Sequence, residues 1–349
     1  MASGRGPGHR HQPRPAEGSQ PPEPPGPRRI GGKQRAVVHR IAVPLVCVLA
    51  TVHPDSGASV AQSRGQAVGE APRGVEAGSV AIDAQHARGL ELYARRAEGS
   101  RGATPAAEPI GQAVQLLAAA LERRPGDVAL RADLLRALLF QAEYVATTAD
   151  AKKQLFERGR RIFVDGLERL ERESGERRLL ELPSEDLRRT LADEPAAGRL
   201  VFWGAVHYGL WGEYYGTLAA VRRGLAKKLR IYGEAARALD RDRDGYGPRR
   251  FLGRLHRLPP RVPLVSGWAD RDEAVRLLRE AATKASEDPL NRLFYAEALW
   301  DLRGEHRLAL EQLALAARLT PRPDHRIEDA RALERVAELE RRIRDDLQR

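Results

Sequence analysis

The chain reads as an all-α protein of tetratricopeptide-like helical-pair repeats, and three observations carry that reading. The block Ala274-Val275-Arg276-Leu277-Leu278 restarts 35 positions on as Ala309-Leu310-Glu311-Gln312-Leu313, close to the roughly 34-residue period of stacked helix-turn-helix units. A third copy lies upstream. There Ala113-Val114-Gln115-Leu116-Leu117 and Ala120 match Ala274 to Leu278 and Ala281 position for position, and Arg131, Ala137 and Leu138 match Arg292, Ala298 and Leu299. Finally, no stretch alternates apolar and polar residues at the period of two that a half-buried strand requires. Stacked helical pairs build concave surfaces that hold partners, so the pattern points to binding and away from catalysis.

The helices follow in order. Residues 82–98 form a first amphipathic helix on Ala87, Leu90 and Tyr93. A pair follows at 110–124 and 128–146, joined by Pro125-Gly126-Asp127, since proline cannot continue the hydrogen-bond ladder. The segment 150–174 puts Leu155, Ile162, Phe163, Gly166, Leu167 and Leu170 on one stripe, and 174–195 is charged and irregular. Helix resumes at Ala196 and runs past Tyr215, followed by 217–239. A short helix around 251–256 lies between the loop 240–248 and the proline-rich stretch 258–268. The last repeat pairs and a charged helix over 327–347 complete the chain.

The two ends differ in kind. Residues 1–36 are dominated by Pro, Gly, Arg and His, with too little apolar surface to offset the entropy of ordering, so this tail is expected to be disordered. Basic residues then precede the apolar run Ile41 to Val52, which is 12 residues long and contains Pro44. A bilayer span takes roughly 20 residues, so 37–61 fits a secretory signal peptide cleaved near Ala61, after Ser59-Val60-Ala61. The tail ahead of it is long for a signal, and translation is expected to start near Val37. The alternative is a lipid anchor through Cys47, the only cysteine, although Leu45-Val46 precede it where a small residue is needed at the last position. Residues 62–81 are a Gly- and Ala-rich linker, and 82–349 form the helical domain. The expected compartment is the periplasm.

The net charge of +11 invites a nucleic-acid reading. Eight Lys or Arg against three acids leave with the signal, and the doublets Arg222-Arg223, Lys227-Lys228 and Arg249-Arg250 sit among acids on solvated helix faces. No nucleic-acid partner and no membrane span are expected.

Two constellations stand out. Aromatics are 5% of the chain, yet Phe202, Trp203, Tyr208, Trp211, Tyr214 and Tyr215 fall within 14 positions. Trp203, His207, Trp211 and Tyr215 recur every four residues and share one helix face. Two readings fit, a core stripe or a ligand-lining face whose indole, imidazole and phenol groups offer polar handles. Gly204, Gly209, Gly212 and Gly216 between the rings point to close approach of another helix or a ligand. Asp240, Asp242, Asp244 and Gly245 imitate half of a calcium loop, but Phe251 stands where the bidentate glutamate belongs, so no metal is expected. The histidines are scattered and no catalytic motif occurs, so neither an enzyme nor a cofactor is expected.

Phe202-Trp203-Gly204-Ala205-Val206-His207-Tyr208-Gly209-Leu210-Trp211 carries a family resemblance together with Gly245-Tyr246-Gly247-Pro248, Arg250-Phe251-Leu252-Gly253-Arg254-Leu255 and Pro259-Pro260. Asp288-Pro289-Leu290-Asn291 and Tyr295-Ala296-Glu297-Ala298 extend it. Together these resemble the T-component family of TRAP transporters, over most of 82–318. The resemblance implies a periplasmic, non-catalytic accessory subunit that associates with a solute-binding protein, forms homo-oligomers and helps deliver an apolar small ligand. It also makes Trp203, His207, Trp211 and Tyr215 a ligand wall. The arginine richness of this chain departs from the family. A generic periplasmic tetratricopeptide scaffold for protein partners is the other reading.

Overall fold

A computed structural model describes residues 73–215, 224–239, 246–257 and 267–349. They form twelve α-helices and no strand: α1 (Arg73–Ala94), α2 (Ala107–Arg123), α3 (Val128–Phe140), α4 (Ala149–Ser174), α5 (Ser184–Thr190) and α6 (Ala197–Tyr215). Then come α7 (Leu225–Leu239), α8 (Gly247–His256), α9 (Arg271–Lys284), α10 (Pro289–Ala298), α11 (His306–Ala317) and α12 (Arg326–Leu347). No helix among the described residues is long and apolar enough to cross a membrane.

The repeated blocks fold alike. In both α2–α3 and α9–α10 the first helix closes on an alanine carbonyl 3.0 Å away, Arg124 N to Ala120 O and Ala285 N to Ala281 O. The next helix is then capped by an aspartate. Asp127 accepts from the Leu130 amide and Asp288 from the Leu290 amide, each satisfying a donor that a helix start leaves open. Both second helices run on into a π turn, Gln141–Val145 and Leu299–Arg303. The third copy departs at the turn: after α11 a 3-10 turn, Pro323–His325, takes the place of the aspartate cap.

Two hydrophobic clusters hold the chain, and α3 serves both. Leu130, Leu134 and Leu138 pack with α1 and α2, whereas Val128, Ala132, Leu135 and Leu139 pack into the larger cluster with α4, α6 and the C-terminal helices. Helix α3 is accordingly buried on nearly every side, with its charged Arg131 and Asp133 enclosed as well. The N-terminal cluster also receives Ile327 of α12. Beside it the buried Arg96 donates to Glu328 over 2.7 Å, and Arg326 donates to Ala97 O over 2.8 Å. The first and last helical units therefore touch. An open solenoid holds its ends apart.

The structure corrects several boundaries. Helix α1 starts at Arg73, so the last nine residues of the expected 62–81 linker are helical. Its buried side is Ile82, Leu92 and Tyr93, while Ala87 and Leu90 face outward, because α2 packs at Gly89, where Leu117 comes up against the bare backbone. The charged stretch 174–195 holds a 3-10 turn and α5, anchored by Leu179, Leu180 and Leu187. The tail, the signal segment, Cys47, the acidic residues of the calcium-like loop and most of 258–268 lie outside the described residues.

Candidate functional site

Helix α6 is the sequence's candidate wall, and its environment decides what it can do. Every residue from Leu200 to Gly212 is buried. Trp203 and Trp211 are 2% exposed and His207 is fully enclosed, whereas Tyr215 is 36% exposed. Three of the four proposed site residues are thus core, and they fill space between helices as large rings do. Trp203 packs on Phe202 with ring centroids 4.6 Å apart, and Trp211 stacks on Tyr215 at 4.7 Å.

The glycines explain how those rings fit. A Cβ on Gly204 would stand 2.0 Å from the Phe163 ring, and one on Gly159 would stand 2.1 Å from His207 Nδ1. Bare backbone on both helices lets α4 and α6 approach closely, so the close partner expected from the glycine pattern is a neighbouring helix. His207 Nε2 lies 2.8 Å from Leu135 O. A carbonyl only accepts, so Nε2 carries a proton. Burial, opposed only by that hydrogen bond, pushes its pKa down to about 4.

The concave feature of this region lies beside α6. An open groove of about 680 Å³ runs between α2 and α4. Leu134 and the buried Arg131 of α3 form its floor, Leu121 and Glu122 come from α2, Gln154, Arg158, Arg161, Ile162 and Asp165 come from α4, and Tyr215 adds its half-exposed ring. The size falls within the roughly 300–1,000 Å³ of small-molecule sites.

Its charges are largely matched in place. Arg131 donates to Pro125 O at 2.6 Å and Ile162 O at 3.2 Å and pairs with Asp165 at 2.5 Å. Glu157 accepts from Arg160 at 2.9 Å and Arg161 at 2.8 Å, and those hydrogen bonds hold its carboxyl down at about 2. Lys153 Nζ sits 4.4 Å from the centre of the Tyr215 ring, and Arg160 lies 5.2 Å from Trp211. Cations over ring faces are attracted by the ring quadrupole.

No protein-family model matches the chain, and no curated protein does. Most of the described residues between Phe202 and Trp211 and between Arg250 and Leu255 serve packing, for they are buried.

Elsewhere the ionisable groups tie helices together. His86 Nε2 lies 2.9 Å from the buried Asp133, whose other oxygen takes Arg199 at 2.8 Å, joining α1, α3 and α6. Glu297 of α10 gathers Arg254, Arg257 and Arg335. Burial opposes its charge, yet the three guanidiniums hold its carboxyl at about 2. Among the described residues no three His, Cys, Asp or Glu side chains converge as a metal site.

Of the groove residues Tyr215 was a site candidate from the sequence, whereas the polar residues of the α4 wall escaped that reading, although a signal existed. Gln154, Arg158, Arg161 and Asp165 are spaced 4, 3 and 4 apart, opposite the apolar stripe of α4. A polar helix face ordinarily meets only water. Nothing in the pattern tells that α2 rises across from it.

Proposed function

We propose that the chain is a non-catalytic, exported accessory protein of a TRAP-type transport system, which binds a partner solute-binding protein and an apolar small ligand. The observation that carries the reading is the groove between α2 and α4, with the buried Leu121 and Leu134 lining it and the Tyr215 ring standing in it. Paired helices that flank such a concavity bind partners in many repeat proteins. In this reading the ligand sits on the groove, and the aromatic stripe acts by holding Tyr215 in place: Trp211 supports its ring from behind.

The burial of Trp203, His207 and Trp211 favours the second reading, a periplasmic scaffold for proteins alone, because the residues behind the family resemblance then serve packing. The two separate on one experiment. The solute-binding protein encoded nearest this chain is purified and titrated into it by calorimetry, with native mass spectrometry of the chain isolated from its own periplasm. A complex together with a co-purifying apolar molecule is expected. A chain that forms the complex but carries no small molecule is a scaffold. A neighbourhood encoding no solute-binding protein or permease, with no complex formed, overturns the transport reading.

A further inference from the structure

The groove between α2 and α4 holds a charge pattern that identifies the class of its ligand. Two of its arginines are answered from within: Arg131 by Asp165 and Arg161 by Glu157. That leaves Arg158 on the α4 wall and Glu122 on the α2 wall, both exposed, neither with a hydrogen-bond or ion-pair partner among the described residues. Between them lie Leu121 and Ile162, with the buried Leu134 beneath them. A guanidinium takes a carboxylate in a two-pronged hydrogen bond, and a carboxylate takes an ammonium group. The groove therefore offers one acceptor for each sign of charge, on opposite walls, with an apolar bed between.

A fatty acid meets only half of that pattern, and so does an amine. We propose that the groove binds short apolar peptides with free termini, the carboxylate at Arg158, the ammonium at Glu122, and the side chains on the apolar bed against the Tyr215 ring. The assignment rests on reading the chain as a binding protein and specifies the chemistry of its small ligand. Because both charged contacts lie on exposed side chains of helices held by other residues, they can be removed without disturbing the core.

The test is calorimetric titration of the full chain with the tetrapeptide Leu-Ala-Leu-Phe, as the free zwitterion, as its C-terminal amide and as its N-acetyl form. The zwitterion is expected to bind, and each capped form to bind about tenfold more weakly, the value of one charge-assisted contact. Arg158→Gln should weaken the zwitterion by a similar factor and make amidation immaterial. Glu122→Gln should do the same for acetylation. Capped and free peptides of equal affinity overturn the proposal, and so does laurate binding that depends on Arg158 where the peptide does not bind. Loss of the peptide with the solute-binding protein complex intact refutes the peptide assignment alone. Loss of both refutes the binding reading on which it rests.

Discussion

Arg131 and Arg292 stand 161 positions apart and make the same hydrogen bond: each Nε donates over 3.1 Å to the carbonyl six residues before it, Pro125 in one case and Ser286 in the other. The bond locks the turn between paired helices in both copies of the repeat. The sites differ in burial. Arg131 is 3% exposed and also meets Ile162 O and Asp165, whereas Arg292 adds only Gln312 at 3.1 Å on a wetter surface.

That difference sets the first expectation. Arg131→Ala should cost about 2–4 kcal/mol, because two carbonyls and one carboxylate lose a charged donor, while Arg292→Ala should cost about 1 kcal/mol. Urea unfolding midpoints measure both. Equal losses would show that the turn bond alone, and not its burial, sets the energy.

Gly204→Ala should destabilise the chain in spite of alanine's better helix propensity, worth about 1 kcal/mol. The added methyl would stand 2.0 Å from the Phe163 ring, and forcing atoms into a packed core costs about 1–3 kcal/mol or more. A thermal melt of the variant should fall by several degrees. A rise would mean that α4 and α6 are free to move apart.

His207 predicts a pH dependence of definite sign. Its folded pKa is depressed to about 4 by burial, against about 6.5 in the unfolded chain. Below 6.5 the unfolded state binds the proton that the folded state refuses, so stability is complete above that value and is lost as pH falls toward 4. The full loss is on the order of 3 kcal/mol. His207→Gln, which keeps a donor for Leu135 O, should flatten the slope between pH 6.5 and 4 relative to the parent in urea titrations. Parallel slopes for the two proteins would exclude His207 as the cause.

Glu297→Gln should be costlier than any surface charge change, about 3 kcal/mol or more. It leaves Arg254, Arg257 and Arg335 facing one another without their common carboxylate, and a buried charge stripped of its partner is expensive. Denaturant unfolding checks it, and Arg335→Gln in the same background should restore part of the loss.

Much of the helical order was legible because its signals are local. Pro125-Gly126-Asp127 stops one helix and caps the next, and Asp288 does the same for α10. The matched blocks at Ala113 and Ala274 read correctly as one unit used twice, since the same spacing yields the same buried face. Where a choice depended on a neighbour, periodicity misled. Ala87 and Leu90 read as one face with Tyr93, but the side that α2 covers runs through Ile82, Gly89, Leu92 and Tyr93 and leaves those two exposed.

The site divides the same way. Chain spacing placed Trp203, His207, Trp211 and Tyr215 on one side of a helix, and that much followed from 3.6 residues per turn. Whether the side was a core or a wall depended on α4, whose Gly159 and Gly166 admit His207 and Leu200.

The sequence by itself determined the all-α class, the paired-helix unit and its recurrence, because caps, turns and helical periods are written within a few residues. Only the tertiary structure decided that the aromatic stripe is mostly buried, that α2 and α4 face each other across a groove, and that α12 returns to Arg96 of the first unit. The physical reason is that burial and concavity belong to pairs of surfaces, and a chain states each surface without stating which other one it will meet.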